Sequence, residues 1–241
     1  MVIKENIHYQ TIYKRFESMS KHGALKYAWT KITENYVHSR LSKNAFHFKN
    51  LYIDTTTIKN VAGTDCTGRN PTDRGRQGSK ISVIIDEFKV SVSEPTAFPA
   101  NVHDSRTVED TLANIPFDLT PDGRTVTRVG ADKAYTSKKL FNKLIAQKIR
   151  IVSEPKKNAK NPVPIRNVDK AMFKKRTNIE HFFGIMKRLR RLRCRYDVHI
   201  DHYNAFWYIG MARRALFALS NEVSNIDLQD VTLIPISTRL S

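Results

Sequence analysis

The sequence predicts an α/β protein built on a mixed sheet, and three observations lead there. Short β-branched apolar runs, NLYIDTTTI, KISVII, TVTRVG and IRIVSE, are separated by amphipathic or turn-rich segments. Two of those runs bracket a helix-length segment, so a right-handed crossover makes them parallel. With 241 residues the chain can bury one sizeable core with small additions.

Residues 8–45 come first and read as two or three short basic helices. Tyr9, Ile12, Tyr13 and Phe16 recur at helical spacing, Gly23 interrupts, and Leu25, Ala28, Trp29 and Ile32 resume. Such a piece is either a small DNA-binding module or a helical cap on the main domain. NLYIDTTTI then reads as a buried strand carrying one acid, Asp54. The segment after it, NVAGTDCTGRNPTDRGRQGSK, predicts a mobile basic loop, because its glycines and Pro71 oppose regular structure while Arg69, Arg74, Arg76 and Lys80 supply cations. Its glycines lack the spacing of a nucleotide-binding loop.

KISVIIDEFKVSVSEPTAF predicts a hairpin turning near Asp86 and Glu87, and HDSRTVEDTLANI a helix capped by Asp104 or Ser105. TVTRVGADKAY is a strand ending at Asp132. An amphipathic helix opened by Thr136 or Ser137 follows, then the strand IRIVSE. A Pro- and Lys-rich linker over 154–170 leads into RTNIEHFFGIMKRLRRLRCRYD, read as one long helix. The order is strand, hairpin, helix, strand, helix, strand, helix.

The balance of 41 Lys+Arg against 23 Asp+Glu, a net +18, favours phosphate-rich partners by steering and counterion release, with DNA or RNA the leading class. Ribosomal and membrane-surface proteins share such a charge, so motifs must decide. Cys66 and Cys194 are far apart and have no CxxC context, so neither a thiolate zinc site nor a disulfide framework is suggested. The N-terminus has no apolar targeting core, and AFWYIGMARRALFAL is broken by Arg213 and Arg214; a soluble chain is expected.

Asp54 lies within an apolar strand, where a carboxylate is costly unless paired or metal-bound. Asp132 sits at the C-terminal end of a parallel strand, where ligands gather in such sheets. On the last helix, Ile179, Phe182, Phe183, Met186 and Leu189 form the apolar face, while Glu180 shares the opposite stripe with Arg176, Gly184, Lys187 and Arg191. An Arg176–Glu180 helix pair is worth only about 0.3 kcal/mol, so local stability hardly accounts for that acid. Two strand aspartates and a helix glutamate, if they meet in space, suit two Mg²⁺ ions: a hard cation takes oxygen donors, and a pair of them can clamp an in-line phosphoryl displacement. A metal-free acyl-transfer site finds little support, since Cys194 stands among arginines with no oxyanion-forming turn beside His199.

Three blocks, LYIDTTTI, VGADKAYTSKKL and RTNIEHFFGIMKRLRRLRCRYD, resemble the DDE transposases of insertion sequences of the IS4/IS5 type. The last is similar to the signature Tyr-x2-Arg-x3-Glu-x6-Lys through Arg176, Glu180 and Lys187, with Phe173 at the tyrosine position. RGRQGSKISVIID and FPANVHDSRT are also similar, so the resemblance covers residues 10–215. It implies an RNase H-like catalytic core at 48–222, a helical N-terminal region at 1–47 and a tail at 223–241. That N-terminal region corresponds to the last part of the longer one that relatives use for terminal-repeat recognition.

By the same resemblance Asp54, Asp132 and Glu180 are the catalytic and metal-holding residues for two Mg²⁺ ions, Mn²⁺ being a substitute. Arg176, Lys187, Arg188, Arg191, Arg74, Arg76 and Lys80 are the expected DNA contacts, and His103, Asp104 and Phe173 the candidates for supporting positions. The implied partners are DNA at element ends and target, and a second copy in a homodimer, with no membrane and no small-molecule substrate. The implied location is the cytoplasm and nucleoid of a bacterium, or a nucleus. Two other readings stay open: a DNA-binding derivative without catalysis, and a nuclease that only hydrolyses.

Overall fold

The computed structural model describes residues 8–43, 49–118, 126–135, 137–155 and 164–224. Two helices open the chain, α1 (Tyr9–Lys21) and α2 (Ala24–Lys43), separated where Gly23 takes φ +68°, a left-handed turn that glycine adopts freely. The strands β1 (Asn50–Asn60), β2 (Gly68–Arg69), β3 (Gln77–Ile85) and β4 (Thr96–Pro99) follow. After them come α3 (Val108–Ala113), β5 (Thr127–Gly130), α4 (Lys138–Ala146), β6 (Ile149–Val152), α5 (Asn167–Lys174), α6 (Thr177–Arg188), α7 (Arg190–Arg193), β7 (Cys194–Arg195) and α8 (Ile200–Ser224).

The strands form one sheet in the order β2-β3-β1-β5-β6, with β4 also on β3 and β7 also on β1. Only β3 runs against the rest: β2, β1 and β4 pair with it antiparallel, while β5 and β7 lie parallel to β1 and β6 parallel to β5. The path β4-β3-β1-β5-β6 with its second strand reversed is an RNase H-like core. The expected hairpin turns at Asp86, whose Oδ1 accepts from the Phe88 and Val90 amides at 2.9 Å each. The β-α-β unit is present, with Ser137 capping α4 through the Leu140 amide; Thr136 lies outside the described residues.

Alternation along β1 builds two cores. Tyr52 and Ile58 face one way, against Ile81 and Val83 of β3, α6 and α8, with Phe182, Met186 and Trp207 at the centre. Leu51 and Ile53 face the other way, against Val129, Val108, Leu140 and Leu144. The N-terminal helices are tied in as a cap. Trp29 is fully buried beside Tyr208 of α8, and Phe16 stacks on Phe206, although α1 itself buries no residue.

Several expectations fail for physical reasons. The segment read as one long helix breaks at Leu189, which is extended (φ −74°, ψ 116°) so that Leu192 can enter the core; Cys194 is then strand, not helix. The stretch read as a structureless loop contains β2 and a turn closed by Asn70, which bonds the Arg76 carbonyl at 2.8 Å and the Gly75 amide at 3.0 Å. Part of the supposed linker is α5, held by the buried Asp169. The helix start near 104 is capped one residue early, His103 accepting from the Ser105 amide at the head of a 3-10 turn over Asp104–Arg106.

Candidate active site

The site begins where β5 ends. Tyr52 of β1 is level with Gly130 of β5, and two residues further along each chain stand Asp54 and Asp132. Gly130 permits this approach, because a Cβ there would meet the Tyr52 ring at 2.9 Å and Met172 at 3.1 Å. Asp54 is level with Val83 of β3 and, by alternation from Tyr52 and Ile58, faces the layer containing α6. Asp132 is fixed by its own turn, Oδ1 accepting from the Lys133 amide at 2.7 Å and its carbonyl from the Tyr135 amide at 3.0 Å.

Burial pushes the Asp54 carboxyl up to about 6, and the neighbouring charges of Asp104 and Asp132 push the same way. The Thr55 amide, donating to Asp54 Oδ1 at 2.8 Å, and the Arg176 charge oppose that shift without cancelling it. Asp54 is thus a desolvated acid in an acidic field, and a bound cation would relieve it.

Glu180 lies on the outer side of α6, because Ile179, Phe182, Phe183 and Met186 are buried beneath the helix, as the helical spacing predicts. Glu180 is half exposed and ion-paired to Arg176 at 3.0 Å. Two turns further on, Lys187 donates to the Thr57 carbonyl of β1 at 3.3 Å, and burial lowers its pKa.

The other expected DNA contacts fall into two groups. Arg74, Arg76 and Arg188 are exposed. Lys80 and Arg191 are each paired to an acid of the protein itself. Lys80 lies in β3, buried, with its ammonium on Asp104 Oδ1 at 2.7 Å and the Val102 carbonyl at 2.6 Å. Arg191 binds the buried Asp197 at 2.6 Å and covers the Phe206 ring at 4.6 Å, because the break at Leu189 turns it off the α6 stripe. Among the supporting candidates, Asp104 also accepts from the Thr55 hydroxyl at 2.8 Å, His103 caps the turn, and Phe173 packs against the α6-side core.

Among the described residues, no three His, Cys, Asp or Glu side chains are grouped so as to hold a metal ion. The donors fit a hard divalent cation in chemistry, all being carboxylate oxygens with Asp54 desolvated; Glu180 instead engages Arg176.

A family model described as "Transposase DDE domain" matches residues 50–213, from the first residue of β1 into α8. The chain belongs to the DDE transposase domain family. A search of curated proteins gives no match.

Solved structures similar to this DDE transposase domain include a piggyBac transposase synaptic complex with hairpin DNA, at 12% identity over 73% of this chain and 48% of that one, TM-score 0.47. The catalytic domain of Mos1 mariner transposase is 10% identical over 82% of this chain and 93% of that one, TM-score 0.34. The Mos1 strand transfer complex is 10% identical over 92% and 64%, TM-score 0.32. The chain spans about half the length of the piggyBac transposase it matches.

The sequence reading missed Thr55 and Tyr135. The Tyr135 hydroxyl is buried with no hydrogen-bond partner among the described residues; burial first, then the charges of Asp54, Asp104 and Asp132, raises its pKa well above the ordinary phenol value. A lysine at position 80, at the head of the otherwise apolar KISVII, was the available signal for a buried polar cluster here.

Proposed function

We propose that the chain is the transposase of an insertion-sequence element of the IS4/IS5 type, cutting DNA at the element's ends and joining the freed 3′-hydroxyls to target DNA with Mg²⁺ or Mn²⁺. Asp54, Asp132 and Glu180 would hold the metal. Magnesium, when bound, supplies activation of the attacking oxygen and neutralises charge on the leaving 3′-oxygen. The observation that carries this reading is Asp54 within β1 and Asp132 just past the end of the parallel β5, each two residues on from the paired Tyr52 and Gly130, with Arg176 at the head of α6 acting on Asp54 and ion-paired to Glu180.

The residues divide the work. Asp54 acts ionised, as it largely is above pH 7 given a value near 6. Arg176, already within the field of Asp54, is placed to take a phosphate oxygen, releasing Glu180 from its ion pair. Lys187, held against β1, orients α6 on the sheet. Arg188, Arg74 and Arg76 lie exposed for the flanking backbone, whose neutralisation would make binding steeply salt-dependent. Two element ends call for two copies of the chain.

The test is incubation with Mg²⁺ and duplex DNA taken from the flanks of the coding sequence. Nicked and joined products are expected, and both vanish in Asp54→Asn, Asp132→Asn and Glu180→Gln. Nicking without joining would make the chain a nuclease. A second reading, DNA binding without catalysis, is favoured by two observations, that Glu180 is tied to Arg176 and that no three acids are grouped among the described residues. Salt-dependent binding with no nicking under either metal would establish it.

A further inference from the structure

We infer that Thr55, Asp104 and Lys80 form a positioning relay that sets the carboxylate of Asp54 from the opposite face of β1. The inference rests on the reading of Asp54 as a metal-holding acid. Alternation sends Asp54 toward α6 and its neighbour Thr55 toward the other core, where it stands level with Ser82 of β3. Thr55 makes both links: its amide donates to Asp54 Oδ1 at 2.8 Å and its hydroxyl to Asp104 Oδ1 at 2.8 Å.

That same Asp104 oxygen receives the Lys80 ammonium at 2.7 Å, and Lys80 also donates to the Val102 carbonyl at 2.6 Å. Lys80 is 8% exposed, so its charge is desolvated and directional. With the Asp104 side chain 30% exposed the pair is partly buried; such a pair adds little net stability, and its best-attested use is to fix one geometry. Here it fixes the direction of one carboxylate oxygen, which orients the Thr55 hydroxyl and with it the peptide that donates to Asp54. Oδ1 of Asp104 is used twice already, so Asp104 acts through Thr55 and is a positioning residue.

The test compares Thr55→Val, which keeps the shape and removes the hydroxyl, with Thr55→Ser, which keeps the hydroxyl. In the metal-free full chain, Thr55→Val should displace the Asp54 carboxyl ¹³C resonance with a melting temperature close to that of the parent, while Thr55→Ser leaves the resonance in place. With Mn²⁺ alone as probe, Thr55→Val should weaken binding about tenfold, the usual consequence of losing a group that orients a ligand. With DNA, kcat should fall in Thr55→Val and KM should not change.

An unmoved Asp54 resonance in Thr55→Val, or equal displacement in both variants, overturns the relay and leaves a packing role. If the parent chain binds no Mn²⁺ in an Asp54-dependent way, the metal reading fails while the metal-free resonance still decides the relay. Should Thr55→Val not fold, Asp104→Asn replaces it and must displace the same resonance.

Discussion

Two acids at the parallel half of the sheet, Asp54 on β1 and Asp169 on α5, meet opposite fates. Asp169, 2% exposed, is enclosed by Arg150 at 2.6 Å, Arg166 at 3.1 Å and Arg128 at 3.2 Å. Arg128 and Arg150 stand directly opposite each other on β5 and β6, a repulsive pair that this one carboxylate neutralises. Asp54, on β1 beside the end of β5, is also desolvated, yet among the described residues no arginine or lysine is bonded to it and its direct donor is the Thr55 amide. An acid that is surrounded by cations holds structure. An acid left in an acidic field has its folded state raised in energy until a ligand arrives, which is the mark of a functional site.

The comparison breaks most visibly at Asp169. Asp169→Asn strips the shared counter-charge from Arg128 and Arg150, and leaving such charges buried costs about 3–5 kcal/mol. Chemical denaturation should show that loss at pH 7, and an unchanged midpoint would remove the structural half of the contrast. Asp54→Asn should act in the opposite direction. A carboxyl shifted from 3.8 to about 6 binds its proton more tightly in the folded chain, so the ionised group disfavours folding above pH 6 and ceases to do so as pH falls below 4. In metal-free protein the variant should therefore be more stable than its parent at pH 8, by at most roughly 3 kcal/mol, with the difference gone near pH 4. A smaller loss, about 1–2 kcal/mol, is expected for Gly130→Ala, whose added methyl must displace the Tyr52 ring or Met172.

The fold was legible because its signals are local. Strand runs, the crossover around α4 and the buried face of α6 all follow from residue periodicity, and Asp54, Asp132 and Glu180 stand out as acids in apolar or basic surroundings. What escaped the sequence depends on partners remote along the chain. Asp169 sits in a Lys- and Pro-rich stretch and reads as linker, because the arginines at 128 and 150 that bury it arrive through the sheet. Lys80 reads as a phosphate-binding cation until Asp104 closes on it from 24 residues away. The break at Leu189 is hidden because helical spacing continues through it, and only the burial of Leu192 and the pairing of Cys194 with Lys59 of β1 reveal the turn.

The smallest effect on stability is expected at Glu180, and its smallness is what sharpens the contrast. The Arg176–Glu180 pair spans one helical turn, with 52% of the glutamate side chain exposed, and such pairs contribute a few tenths of a kcal/mol at most. Glu180→Gln should therefore melt within about 0.5 kcal/mol of the parent and should show no dependence on salt beyond that. If the residue is the third metal-holding acid, the same variant loses nicking and joining altogether and binds Mn²⁺ more weakly, while retaining DNA. A loss of stability comparable to that of Asp169→Asn would instead class Glu180 with the structural acids, leaving Asp54 and Asp132 without a helix-borne companion.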